Sequence, residues 1–479
     1  MKSSNIGPRT GCVVLLAIAA VPLACLDSSS STPPQPDAGG QQADAAGVVL
    51  PDASTGDTAP PVPTGCPAPT HGPTTHGGGS TSDPASDVWT ADGSPHILPY
   101  DTTIYKTVTL EPCAEVRIAA GRQITVRGSL VAEGTATRPI HIGAKDAGQP
   151  FANLRTLPPA TLRLAYVTID GGGTPLNTLP YLTGTLAISG DTLKPVQETL
   201  FVDHVTIAGS ASNGVVMNDN AGFAAGSTAL VVTGSAVHPL SSWARAVGGI
   251  PAGTYTGNGN DTILLPTGNT DTVSETTTLH DRGVPYLVGS PQSAGDLRVD
   301  VPQGQAGVTL TVEAGVTVRF KKGGVLRVAV ASSTSPARGS LIAVGTAAKP
   351  IVFTSDEAAP AAGDWLGIWY GEVPTAVNKL DHARVEYAGG QSSSGSGSCP
   401  DNAELNNDAA IRIFGPPATE FVTNTSIVAS LTNGIDRGWR ADTPVIDFLA
   451  TNTFTGVALC KQTFPPTAGN VCPVPVPCP

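Results

Sequence analysis

Charge is scarce in this chain, and aromatic rings are scarcer. Of 479 residues, 13% are Asp, Glu, Lys or Arg and 5% are Phe, Trp or Tyr. Lys and Glu are too few to coat surface helices, and no apolar period near 3.6 residues runs through the body of the sequence. The 26 basic residues are outnumbered by 38 acidic ones, for a formal net charge of −12. No Lys/Arg cluster stands against that balance, which argues against a nucleic-acid partner. No Cys-x-x-Cys occurs, so a thiolate metal site lacks its usual spacing. No Gly-x-Ser-x-Gly elbow accompanies any histidine. Nor do the ten-residue amphipathic strands of a porin-like barrel follow at the C-terminal end.

Glycine (55) and proline (43) are abundant, and 40% of residues are hydrophobic, with enough Val, Ile and Leu to form a core. Between Val308 and Tyr387 the chain reads LTVEAGVTVRFKKGG (310–324), SLIAVGTAAKPIVFTS (340–355), GDWLGIWY (363–370) and LDHARVEYAGG (380–390). These are short β-type runs with alternating Val and Ile, each closed by a turn. The same pieces occur earlier in the same order. VTLEPCAEVRI (108–118), SLVAEGTATRPIHI (129–142), LAYVTIDGGG (164–173) and HVTIAGSASNGV (204–215) lie 200 to 220 residues before their counterparts. A period this long holds several coils of a solenoid. The reading is copy one over 88–225, a bridge over 226–275 and copy two over 276–460. All three fall within a body of 86–465 that a Pro/Cys tail (466–479) follows. WTADGSPHILPY (89–100) echoes the head of copy two and reads as an entry coil covering the open end.

These segments resemble the right-handed parallel β-helix proteins of bacterial cell surfaces, within the pectin-lyase-like fold group. The resemblance covers roughly 86–460, with GTAAKPIVFTS and GDWLGI its most specific marks. It implies an all-β, right-handed, single-stranded parallel β-helix built from a duplicated unit. Many such proteins have no defined activity. The pectinolytic ones use clustered aspartates, a Gly-His-Gly histidine and an Arg-x-Lys. Here there is no Asp-Asp and no Gly-His-Gly, and the paired acids that hydrolysis needs are not evident. Arg319-Phe320-Lys321 matches Arg-x-Lys but has no acidic motif near it in the sequence, and it reads as a solvated outer face. No catalytic residue is assigned. The expectation is a non-enzymatic, surface-anchored protein presenting a rigid face for adhesion, envelope structure or glycan contact. The alternative is a polysaccharide-active lyase or hydrolase, or a carbohydrate-binding protein.

Residues 1–24 read as a secretion signal: Lys2 and Arg9 precede an apolar run from Cys12 to Leu23 that is too short to span a bilayer. VPLAC resembles the bacterial lipobox, which makes Cys25 the expected lipidation site, although Pro22 and Leu23 depart from the usual pattern. Cleavage near Ala20 or Ala24 is the alternative. The expected location is the bacterial outer membrane or cell surface, with the membrane as one partner and a polysaccharide or other surface component as another. Residues 25–85, rich in Ser, Pro, Gly and Asp, read as a disordered tether. His71 and His76 within it read as solvated spacer rather than metal ligands.

Alternation assigns the coil's interior. Val316, Val318 and Phe320 should face in and Thr317, Arg319 and Lys321 out; Ile351 with Phe353, and Ile140 with Ile142, should face in. Gly134 and Gly345 are expected at positive φ. In DWLGIWY, the same rule sends Leu366, Ile368 and Tyr370 inward and Trp365 and Trp369 outward, as candidate glycan contacts; the alternative is that Trp365 packs under a neighbouring loop. Asp203-His204, Asp381-His382 and His280-Asp281 read as turn residues. The loop 398–408 offers Asp401, Asn402, Glu404, Asn406 and Asp408 as a candidate Ca²⁺ site, the one cofactor considered, without the spacing of a known calcium loop. Cys66, Cys113, Cys399, Cys460, Cys472 and Cys478 are an even set in an exported chain, and therefore disulfide candidates. Fifteen connectivities are open. The pairing considered is Cys66–Cys113, Cys399–Cys460 and Cys472–Cys478.

Overall fold

A computed structural model describes residues 65–478 apart from 78–81, 84–86, 176–182, 268–271, 331–337, 397, 400–406, 440–445, 467–470 and 473–477. The signal, Cys25 and most of the tether lie outside the described residues, as do Asp401, Asn402, Glu404 and Asn406. Among the described residues no helix is long and apolar enough to cross a membrane.

The chain is a right-handed parallel β-helix, with nearly every element a short strand. Each coil lays down three strands, one on each of three faces. Two consecutive copy-one coils run Thr107–Leu110, Glu115–Ile118 and Ile124–Val126, then Ser129–Glu133, Ile140–Ala144 and Leu154–Thr156. Successive coils pair in parallel, first strand on first, second on second, third on third. Copy two repeats this with Val308–Val312, Thr317–Phe320 and Val325–Val328, then Gly339–Val344, Ile351–Ser355 and Gly367–Tyr370.

The two copies are out of phase by one face. In copy one the third strand of each coil belongs to the 14-stranded sheet that runs from Ser82–Asp83 to Thr453–Thr455. In copy two that sheet is continued by the second strand of each coil: Tyr286–Val288, Thr317–Phe320 and Ile351–Ser355. The bridge causes the slip. After Leu240–Ser242 a short 3-10 helix, Ala244–Gly249, takes a strand's place between Ala221–Phe223 and Thr277–Leu279. Gly253–Thr254, Ile263–Leu265 and Thr272–Val273 follow, leaving the bridge one strand beyond whole coils.

Despite the slip, one inward row stays apolar from Ile124 to Ile427. Ile124, Leu154, Leu186, Val215, Leu240, Ile263, Tyr286, Val318, Phe353, Val385 and Ile427 stack in register, each at most 1% exposed. β-Branched and aromatic side chains suit this half-buried pleat, and like stacked on like leaves few voids. Val316, Val318, Phe320, Ile351, Phe353, Ile140 and Ile142 are all buried, as alternation requires.

Three expectations need correction. Gly134 and Gly345 are not at positive φ. They are small because backbone passes close by: a Cβ would sit 2.9 Å from the Tyr166 carbonyl oxygen at Gly134, and 2.4 Å from that of His382 at Gly345. The left-handed positions are instead Tyr166, His204 and Ala229, stacked at one corner in three successive coils, with His382 and Asn424 doing the same in copy two. The Asp-His pairs at 203–204 and 381–382 therefore are turn residues. The tether expected to reach 85 ends sooner, since Thr74–Thr75 pairs with His96–Leu98. Of the disulfides, Cys66–Cys113 forms, but Cys399 pairs with Cys472 and Cys460 with Cys478. The reason is local: Cys399 and Phe464 exchange both backbone hydrogen bonds, which brings the tail beyond Phe464 to Cys399.

His238 supplies a pH test. It is 7% exposed, with Nδ1 2.9 Å from Thr262 Oγ1, and burial holds its pKa down to about 4. The unfolded chain takes up this proton near pH 6.5, the folded one only near 4. Its contribution is thus intact above about 6.5 and lost as pH falls from there to about 4, a change of about 3 kcal/mol. Thermal melting should show that slope, and His238→Gln should flatten it; an unchanged slope in the variant contradicts the assignment.

Candidate functional site

Because Val116, Ile118, Ile140, Ile142, Val167 and Ile169 face the core, their neighbours face out. Register then builds two outward rows across three coils: Glu115, His141, Thr168 and, beside it, Arg117, Gly143, Asp170. His141 Nε2 lies 2.8 Å from Asp170 Oδ2. Arg117 pairs with Glu115 on its own strand and donates from Nη1 to the Ala144 carbonyl at 3.3 Å. Gly143 makes this assembly fit, since a Cβ there would come within 2.3 Å of Asp170 Oδ1 and 3.2 Å of Arg117 Nη1. Burial pushes the Asp170 carboxyl up. The His141 hydrogen bond and the charges of His141 and Arg117 outweigh it, leaving the group below the ordinary carboxylate range. The result is an oriented imidazole beside a guanidinium on an open surface, with each acid already partnered.

Copy two keeps part of this set. Its middle strands place Arg319, Thr354 and Glu386 in one row, but Val352 stands in the place of His141. Lys321 Nζ lies 2.6 Å from Asp356 Oδ2 and Arg319 Nη1 lies 3.9 Å from its Oδ1. The Arg-x-Lys thus has the acidic partner that the linear sequence did not show, supplied by the next coil.

The larger cavity is elsewhere. A groove of about 550 Å³ crosses three coils of copy two, lined by Gln303, Val308, Thr309, Arg338, Ser340, Val373, Thr375 and Val377 with two glycines. Ser340 Oγ and Thr375 Oγ1 are 2.7 Å apart. Val373 is 68% exposed, and the guanidinium of Arg338 makes a long 3.4 Å contact with the Gln305 carbonyl. Among the described residues no carboxylate and no imidazole lines this groove. A smaller cavity of about 340 Å³ at the joint between copies collects Arg245, Glu275 and His280. There Glu275 accepts the Val196 amide at 2.9 Å, and His280 Nδ1 is held 2.7 Å from Glu313.

Residues 300–400 match the model of the pectate-lyase-like β-helix domain. No curated protein and no solved structure matches the chain. The matched span contains Arg319, Lys321 and Asp356, every residue of the groove, and both candidate tryptophans.

Within this pectate-lyase-like span the tryptophans are not an outer strip. Trp365 is fully buried, stacked on Phe320 with centroids 4.2 Å apart and rings 3° from parallel, and its Nε1 donates to the Glu386 carbonyl at 2.8 Å. The strand begins only at Gly367, after a turn, so its alternation does not extend back to Trp365, and Leu366 is the half-exposed neighbour. Trp369 does lie on the outer side but is 3% exposed, between Arg327 and Arg412 and against the edge of Phe414. Beyond it the same row is sealed. Arg412, with no exposed surface, lies 2.9 Å from Asp408 and 3.6 Å from Asp436. Burial raises both carboxyls, and the Arg412 charge opposes it. Asp408 is therefore already committed to Arg412 and to Ser392, whose Oγ donates at 2.5 Å, rather than presented to a calcium ion. Among the described residues no three His, Cys, Asp or Glu side chains converge as metal ligands.

Gly143→Ala should lower stability by about 1–3 kcal/mol by forcing Asp170 off His141. Asp170→Ala in the same chain should relieve the clash, so the two changes are coupled in a double-mutant cycle of melting temperatures. Simple additivity contradicts the cradle.

Proposed function

We propose that this is a non-catalytic, surface-presented β-helix protein whose groove in copy two holds an acidic oligosaccharide. The observation that carries the reading is the separation of two features. The acid–base groups Glu115, Arg117, His141 and Asp170 sit on an open face of copy one, partnered with one another. The groove in copy two has hydroxyls, exposed valines and one guanidinium, and among its described residues no carboxylate or imidazole. Binding chemistry and the proton-transfer groups of copy one are therefore not brought together in this groove. Hydroxyls repeated on successive coils suit a polyol, valine faces suit sugar C–H surfaces, and Arg338 suits a carboxylate.

The sequence features at the N-terminal end support presentation at a bacterial surface through Cys25 and a tether. The disulfides accord with an oxidising compartment.

The test is a binding screen of the intact protein on uronate-containing and neutral oligosaccharides, with product assays on the same polymers with and without Ca²⁺. Uronate binding without product is expected, weakened about tenfold or more by Arg338→Ala. Unsaturated or reducing-end product abolished by His141→Ala contradicts the non-catalytic reading, and binding indifferent to Arg338→Ala contradicts the groove.

A further inference from the structure

We infer that the first coil is closed by an acid-released clip made of His76 and His96. His76 follows the strand Thr74–Thr75, and its Nε2 lies 2.9 Å from Nδ1 of His96 on the strand His96–Leu98. On its far side His96 Nε2 lies 2.8 Å from the Thr90 carbonyl oxygen. A carbonyl only accepts, so this nitrogen carries the hydrogen. The contact between the rings then needs one N–H and one lone pair, which the pair supplies while it bears no more than one positive charge. Protonating both rings sets two N–H groups against each other at 2.9 Å.

The surroundings of His96 favour its neutral form. His96 is 3% exposed and Trp89, at 1%, backs the clip, its ring 4.3 Å from His76 and 5.5 Å from His96. Burial lowers the proton affinity of His96, against the opposing pulls of the Thr90 carbonyl and the Asp87 charge. Three acidic groups nearby, among the described residues, are engaged. Asp87 accepts the Trp89 indole hydrogen at 3.1 Å, Glu111 accepts the Ala91 amide at 3.1 Å, and Glu115 pairs with Arg117.

What the clip holds is small. The Thr74 amide reaches the Pro95 carbonyl at 3.1 Å and the His76 amide reaches that of Ile97 at 2.9 Å. Release frees these and bares the edge of His96–Leu98, a strand edge open to pairing. It does not detach the segment. His71 stays on Asp92, whose carboxyl is held down to about 2 by that hydrogen bond and those of Thr70, and Cys66 stays bonded to Cys113.

Amide hydrogen exchange on the intact, oxidised protein tests this at about pH 7.5 and about pH 5, corrected for intrinsic rates. Peptides covering 70–77 and 96–98 should lose protection about tenfold or more at the lower pH, while those covering Glu115–Ile118 do not change. His76→Gln, on the outer partner of the pair, should abolish the pH dependence in a folded protein. Protection that persists to about pH 4.5, or the same pH dependence in His76→Gln, overturns the inference.

Discussion

The stacking of inward aliphatic side chains on their equivalents one coil away is the contact on which everything else in this molecule depends. It is a local rule, since each side chain needs only an apolar partner on the strand before and the strand after. That locality is why the chain tolerates a joint at which copy two is turned by one face. Leu240, Ile263 and Tyr286 carry the row across the joint even though they belong to differently derived strands. Tyr286 manages it by burying its ring and giving its hydroxyl to the His280 carbonyl at 2.8 Å.

The outer surface follows from the same geometry. Fixing Val116, Ile142 and Ile169 inside leaves Arg117, Gly143 and Asp170 aligned outside, and the glycine in the middle row decides how close the charges approach. Where the outer face carries long loops instead, it closes over. Trp369, Arg412 and Asp436 occupy one outward row of successive coils, and the segments joined by Cys399–Cys472 lie over its end. A buried Arg412 serving two carboxylates is costly unless the charges are well solvated by protein, and the hydroxyls of Ser392, Ser398 and Thr463 donate to those carboxylates.

How much of this the sequence displays depends on how local the cause is. Alternation is written in adjacent residues, so the burial of Phe320, Phe353 and Ile142 is readable directly. The His141–Asp170 contact is not, because it spans 29 residues and rests on coil lengths that vary with each turn. The signal exists, since Ile140-Ile142 and Val167-Ile169 point His141 and Asp170 outward, but it requires the register. Trp365 escapes alternation because a turn precedes its strand. Cysteine spacing leaves connectivity open in principle, and the pairing Cys399–Cys472 follows from a backbone contact at Phe464 that no spacing encodes.

The continuous row through the out-of-phase joint can be measured with paired cysteines on the outward side of the same strands. Leu264 and Leu287 are register neighbours, whereas copies in phase would put Leu264 beside Arg298. Adjacent parallel strands fall within disulfide reach. In oxidised protein, Leu264→Cys with Leu287→Cys should cross-link nearly completely and Leu264→Cys with Arg298→Cys should stay reduced. The reverse pattern would contradict the winding described for this chain.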